Sequence, residues 1–318
     1  METAKMTSDI LAILKANNDA FLSGEALSAR LGVTRVTVWK HIQKLREYGY
    51  AIEATPKGYR LEDSFDVISP WEFPERTDRI HYYPEVDSTM DVARDLARKG
   101  CPACTVAAAG RQRKGRGRLD RNWDSTDGGL YFTVVVRPDL PPVLGYRVNF
   151  CASLTLAGTL RDRFDVPARV KWPNDILVGG KKLAGLLSEM ETRSDMISFI
   201  NIGIGINVNN DPTAVEPSAV SLSRIKGAPV CRKEVLAGFL DAFEERMAAD
   251  DLSTIIEEWK DYTLTIGRHV RVATVNEIYE GRAVDVDESG ALILETGEGR
   301  RKVVHGDCFH QPYSEGNK

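Results

Sequence analysis

Gln112–Trp123 reads QRKGRGRLDRNW, and Lys171–Asp175 reads KWPND. The first stretch sets Arg113, Lys114, Arg116, Arg118 and Arg121 around Gly115 and Gly117. Glycines let the backbone bend and approach a ligand closely, and guanidinium groups clamp carboxylates and phosphates. A basic run alone is usually a solvated loop. Here the chain as a whole carries a net charge of −4, so a local cluster of cations with glycines between them and Trp123 behind them points to an anionic ligand. In KWPND, Pro173 fixes a tight turn after a strand, Asn174 can donate and accept, and Asp175 can hold a loop or a metal-linked water. Trp172 suits core packing at least as well as ligand contact.

Working outward, the centre of the chain alternates helices with apolar strands. Leu130–Val136 is a continuous apolar run, Val148–Leu160 a helix, and Arg169–Trp172 a strand entering KWPND. Ala184–Glu191 and Ile197–Val208 add strands, and Lys233–Ala248 and Ser253–Tyr262 add helices. This pattern predicts a mixed α/β unit with an antiparallel-rich sheet. Before it, Ser23 and Thr34 can cap two helices, and Val38, Ile42 and Leu45 share one face of the second. Two short strands flank Thr55-Pro56-Lys57, completing a winged helix-turn-helix pattern. Arg35, Thr37, Lys40, Gln43 and Lys44 on the helix and Lys57 and Arg60 on the hairpin are the candidate DNA contacts. After Gly267, short strands separated by turns predict a small β-barrel.

The two opening motifs, with KKLAG (Lys181–Gly185) and GIGIN (Gly203–Asn207), resemble those of the biotin–protein ligase family, in the same order and at similar spacing. The likeness runs from about Tyr82 to the C-terminal segment. TRVTVWKHIQKLREYGY (Thr34–Tyr50) also resembles the DNA-binding domain fused to some of these ligases. The expected fold class is therefore α+β: a winged helix-turn-helix domain at 1–64, a linker at 65–79, a catalytic domain at 80–266 and an SH3-like barrel at 267–318.

The resemblance implies ATP-dependent adenylation of biotin and transfer to a lysine of a biotin carboxyl carrier protein. It also implies biotin-responsive repression by a homodimer formed when adenylate is bound. Arg116, Arg118 and Lys182 would act in catalysis. Ser88, Thr89, Met90, Gln112, Arg116, Gly117, Arg118 and Lys182 would meet biotin. Gly115, Arg116, Arg118, Trp123, Lys171, Asn174, Asp175 and Asn207 would meet ATP or the adenylate. Mg²⁺ is expected with the nucleotide, without identified protein ligands. Three departures stand out: Met90 replaces an asparagine common there, Asp120 a loop glycine, and HGDCFH (His305–His310) lacks the arginine that usually ends this motif.

Other chemistries fit less well. Cys101-Pro-Ala-Cys104 has no second CxxC to complete a zinc site and reads as turn residues. Five scattered cysteines, the lack of a signal-peptide pattern and the lack of a membrane-length apolar run point to the cytoplasm, with no membrane partner. Two rivals are kept, a lipoate–protein ligase and a metabolite-sensing repressor without catalysis. GRGR beside KWPND favours biotin over lipoate, and Arg116, Arg118 and Lys182 together speak for catalysis.

Overall fold

The computed structural model describes residues 2–17, 20–62, 66–119, 121–249 and 251–311. In the first unit, α1 (Glu2–Lys15), α2 (Gly24–Leu31) and α3 (Arg35–Glu47) pack against a hairpin of β1 (Ile52–Thr55) and β2 (Gly58–Leu61). Ser23 Oγ accepts from Ala26 N and Thr34 Oγ1 from Thr37 N, so both expected caps form. Gly58 pairs with Thr55, leaving Pro56-Lys57 as a two-residue turn tighter than the sequence reading drew. Ile10, Leu14, Leu27, Val38, Ile42 and Leu45 form this unit's own buried core.

The segment expected as a linker is packed chain. Two short 3₁₀ turns, Pro70–Glu72 and Pro74–Arg76, carry it between the units. Val67 belongs to the first core, and Ile68 and Phe73 to the second. Glu72 is the junction: its carboxylate accepts from Lys15 Nζ (2.6 Å), Tyr50 Oη (2.6 Å) and Lys233 Nζ (2.9 Å). Burial pushes this carboxyl upward, but the three donors hold it below its ordinary range. Asp66 meets Arg232 at 2.8 Å, a second ionic tie between the connector and the central domain.

The central sheet has the order β3-β4-β5-β9-β8-β7-β6. Its strands are β3 (Ile80–Val86), β4 (Thr105–Gln112), β5 (Leu130–Val136), β6 (Arg169–Lys171), β7 (Asp175–Val178), β8 (Lys181–Arg193) and β9 (Met196–Ile206). Only β3 and β4 run parallel, joined by the crossover helix α4 (Thr89–Arg98). The apolar residues of α5 (Tyr146–Phe164), α7 (Arg232–Ala248) and α8 (Ile255–Tyr262) join the sheet in one core; α6 (Leu222–Lys226) is a single short helix. β6 stops one residue short of the expected Trp172, whose buried indole donates instead to Gly290 O at 3.0 Å.

The C-terminal SH3-like unit is a five-stranded antiparallel sheet, β13-β12-β11-β10-β14, and Val270, Val272, Ala283, Leu292 and Leu294 join the same core. Its strands are β10 (His269–Ala273), β11 (Ile278–Val286), β12 (Leu292–Thr296), β13 (Gly299–Val303) and β14 (Asp307–His310). His310, beside Thr265 Oγ1 at 3.2 Å, is pushed by burial from an ordinary 6.5 to about 4. Its neutral form is favoured in the fold, so this contribution is complete above pH 6.5 and drains away as pH falls toward 4. Replacing His310 by glutamine is expected to flatten the acid limb of a stability–pH profile over that window. The change is on the order of 2 kcal/mol after discounting partial exposure, read from denaturant midpoints at stepped pH.

Candidate functional site

A cavity of about 240 Å³ opens where β4, α4, β7, β8 and β9 meet the glycine loop and β14. Its lining includes Ser88, Thr89, Met90, Gln112, Arg116, Gly117, Arg118, Trp123, Lys171, Asn174, Asp175, Lys182 and Asn207. Gly115 is outside that lining but serves the loop directly. A side chain there would collide with Trp123 O and Ser125 Oγ, at 2.4 and 2.6 Å. Asp120 lies outside the described residues.

One wall is a polar relay. Gln112 Oε1 accepts from Thr89 N (2.8 Å) and Thr89 Oγ1 (3.1 Å), Thr133 Oγ1 donates to Thr89 Oγ1, and Gln112 Nε2 donates to Ser125 Oγ (2.9 Å). Ser88 caps α4 by accepting from Met90 N. Met90 brings no polar atom to the wall; it is buried with its sulfur over Gly203, where a Cβ would come within 2.6 Å. Gly205, two residues on, makes the same kind of room for Trp123, at 2.4 Å from the indole. The glycines of GIGIN are thus seats for two large side chains. Trp123 Nε1 is buried without a hydrogen-bond partner among the described residues, a donor on the lining of the cavity.

The opposite wall is charged. Lys182 Nζ sits 2.8 Å from Asp175 and 5.3 Å from the Trp123 ring centre, and Lys171 Nζ is 3.6 Å from Asp175. Asn174 is fixed to β8 through Leu186, accepting Leu186 N on its own carbonyl at 2.9 Å. Asn207 is buried and accepts from Asn210 Nδ2 at 3.1 Å. Arg118 donates to Gly306 O at 3.1 Å, and burial holds its guanidinium below the ordinary arginine range. Arg121 pairs with Asp307 at 2.5 Å and lies over Phe309. HGDCFH, although it lacks the arginine that usually ends this motif, reaches the site: Asp307, Cys308 and Phe309 line the cavity, and Asp307 and Phe309 hold Arg121 of the glycine loop. Nothing in that loop's own sequence announced this partner.

Arg116 is placed differently from its fellow loop cations. It pairs with Asp91 at 2.9 Å and Glu189 at 3.3 Å, and Arg94 bridges the same two carboxylates at 3.1 and 2.5 Å. The cavity wall therefore holds Arg116 through a four-membered charge ring joining the loop to α4 and β8. Cys101 and Cys104 are free; burial pushes the Cys104 thiol up to about 11.

Of the expected DNA contacts, Arg35 and Lys40 are exposed on α3 and Lys57 at the hairpin tip, with Gln43 and Lys44 half-buried. Thr37 is spent partly on the helix cap, since its hydroxyl lies 2.9 Å from Thr34 Oγ1. Arg60 is paired with Glu53 at 2.6 Å and stacks over Phe21, so its charge is largely neutralised within the wing.

Comparison with known proteins covers all three units. Residues 7–60 match an HTH domain family, 82–207 the Biotin/lipoate A/B protein ligase family, and 265–311 the Biotin protein ligase C terminal domain. The chain is 34% identical over 317 residues to the bifunctional ligase/repressor BirA of Bacillus subtilis, covering 95% of this chain and 98% of that one. It is 30% identical over 301 residues to the BirA of Escherichia coli, covering 90% and 91%. A solved biotin protein ligase from Aquifex aeolicus, in complex with biotin and ATP, superposes with a TM-score of 0.62 at 29% identity, over 74% of this chain and 99% of that one.

Proposed function

The chain belongs to the biotin protein ligase family, and from that premise we propose an ATP-dependent biotin ligase that is also a biotin-responsive repressor. The observation that carries the enzymatic half is the convergence of Arg118, Lys182, Gln112 and Trp123 on one cavity. A biotin carboxylate oxygen attacks the α-phosphorus of ATP, and pyrophosphate leaves. The amine of a carrier-protein lysine then attacks the acyl carbon, forming the amide and releasing AMP. In the first step two anions are brought together, and Lys182 and Arg118 offset their repulsion in a site where burial strengthens each charge. The Thr89–Gln112–Thr133 relay presents donors and acceptors to the ureido ring, and Trp123 closes over the intermediate to exclude water.

On this reading residues 1–64 bind operator DNA, 65–79 connect, 80–266 catalyse, and 267–318 are the barrel domain whose Asp307, Cys308 and Phe309 complete the cavity wall. Mg²⁺ accompanies the nucleotide. Among the described residues no group of three His, Cys, Asp or Glu side chains is placed to cage a metal, and Asp175 is already shared by two lysines. A cage built by this chain alone is therefore not offered, and a Mg²⁺ arriving with the nucleotide would be held chiefly through the nucleotide, with Asp175 a carboxylate of the cavity wall near to hand. Its chemistry when bound is charge neutralisation. Among the described residues no helix is long and apolar enough to cross a membrane.

Transfer of labelled biotin, and separately of lipoate, to a carrier protein tests the ligase. Transfer of lipoate in preference to biotin would reject the substrate, and no transfer at all would leave a sensor without catalysis. A shortened chain beginning at Asp66 is expected to keep biotin transfer and lose retardation of DNA. Loss of transfer by this chain, once shown to be folded by circular dichroism, would refute the division of labour. Operator affinity is expected to rise with biotin plus ATP over biotin alone, as a homodimer forms around the adenylate-bound state. The increase corresponds to about 1–3 kcal/mol of coupling.

A further inference from the structure

We propose that Val36 and Trp39 form an apolar reading edge on α3 that contacts thymine methyl groups in the DNA major groove; this rests on the DNA-binding reading above. The inward side of α3 is complete without them: Val38, Ile42 and Leu45 are each 0% exposed and His41 is buried beside Thr7. Val36 and Trp39 stand one helical turn apart outside that core, 62% and 52% exposed. An indole left in water is a standing cost of apolar hydration unless some ligand covers it.

The surroundings select the ligand. Arg35 precedes the pair and Lys40 follows it, both exposed, and Lys57 at the wing turn is a third exposed cation of this unit. The one acidic residue of α3, Glu47, lies at its far C-terminal end, two turns beyond Trp39. Cations flanking a narrow apolar strip match a polyanion with recessed apolar groups. Duplex DNA offers these as the 5-methyl groups of thymine, in the groove that admits a helix. Gln43, one turn beyond Trp39 at i+4, carries the amide suited to the adenine of the same kind of base pair. A protein partner is a poorer fit, because two side chains fall far short of the roughly 800 Å² per partner that a stable interface covers. The half-site is therefore rich in A·T pairs.

The test uses the full chain with biotin and ATP, and a duplex enriched by that protein from a random-sequence pool. Affinities are compared for this duplex carrying thymine or, at the same positions, uracil, which lacks only the methyl group. Wild type is expected to lose about fourfold in affinity for each contacted methyl. Trp39→Ala and Val36→Ala are expected to bind more weakly and to lose most of the thymine–uracil difference, and Trp39→Phe to keep part of it. Unchanged thermal unfolding of each variant excludes misfolding as the cause. A thymine–uracil ratio of one in wild type, or the full ratio retained in Trp39→Ala and Val36→Ala, overturns the assignment. Variants that change the oligomeric state while keeping the ratio would instead assign the pair to contact between copies of this chain. No retention of any duplex would fail the DNA reading itself, a result distinct from retention without methyl sensitivity.

Discussion

Lys182→Ala is expected to slow formation of biotinyl-adenylate by about 10²–10³-fold, the usual loss when one preorganised electrostatic contact is removed from an active site. The ammonium stands 2.8 Å from Asp175 and over the Trp123 ring. Its removal takes away a positive charge and also leaves Asp175 with only the longer contact to Lys171. An under-neutralised carboxylate then faces the incoming carboxylate and phosphates, so the penalty falls on the step that joins them. Pyrophosphate release under single-turnover conditions measures it, with biotin binding as a check of fold. A wild-type rate would remove Lys182 from the chemistry. Asp175→Asn, which removes the repulsion but keeps the cation, is expected to be milder than the alanine.

Gly205→Ala is expected to release the intermediate early. A methyl group there would lie 2.4 Å from the Trp123 indole, and the nearby Gly185 permits no retreat, since its own added Cβ would meet the ring at 2.9 Å. Overpacking of this kind costs about 1–3 kcal/mol, which shifts a closed–open equilibrium of the loop by about 5- to 150-fold. The dissociation rate of preformed adenylate should rise within that range. Trp123→Ala in the Gly205→Ala background should add little, because both changes remove the same contact. Unaltered dissociation from a folded Gly205→Ala protein would show that the indole is not the cover.

The sequence reading located the cavity well because its residues cluster in short motifs: QRKGRGRLDRNW and KWPND supply both walls without knowledge of how the sheet is ordered. What it could not supply was the meeting of distant pieces. Phe309 and Asp307 reach the glycine loop from almost two hundred residues away, through a β14–β10 register that no local pattern encodes. The reason for Met90 was equally hidden. Its thioether is intelligible only beside Gly203 on β9, 113 residues further along the chain but adjacent in space. Arg116 looked like its neighbours in composition, and only Glu189 on β8 and Asp91 on α4 set it apart. In the winged helix, periodicity assigned the inward face of α3 correctly, yet hydropathy alone could not say that Arg60 spends its charge on Glu53.

The grip on Glu72 has a consequence for spacing along DNA. A flexible leash between a reader and an enzyme would let two readers settle on half-sites at many separations. Here Lys15 and Tyr50 from the reader and Lys233 from the enzyme close on one carboxylate, and Trp71 packs on Tyr48 beside them. The connector is a strut. In the proposed two-fold pair, with the ligase halves abutting, the gap between the two reading helices would be set by the enzyme, which would then act as the ruler for the operator. A tolerant, variably spaced operator is incompatible with that joint, and inserting half a helical turn of DNA between half-sites would cost the second contact outright.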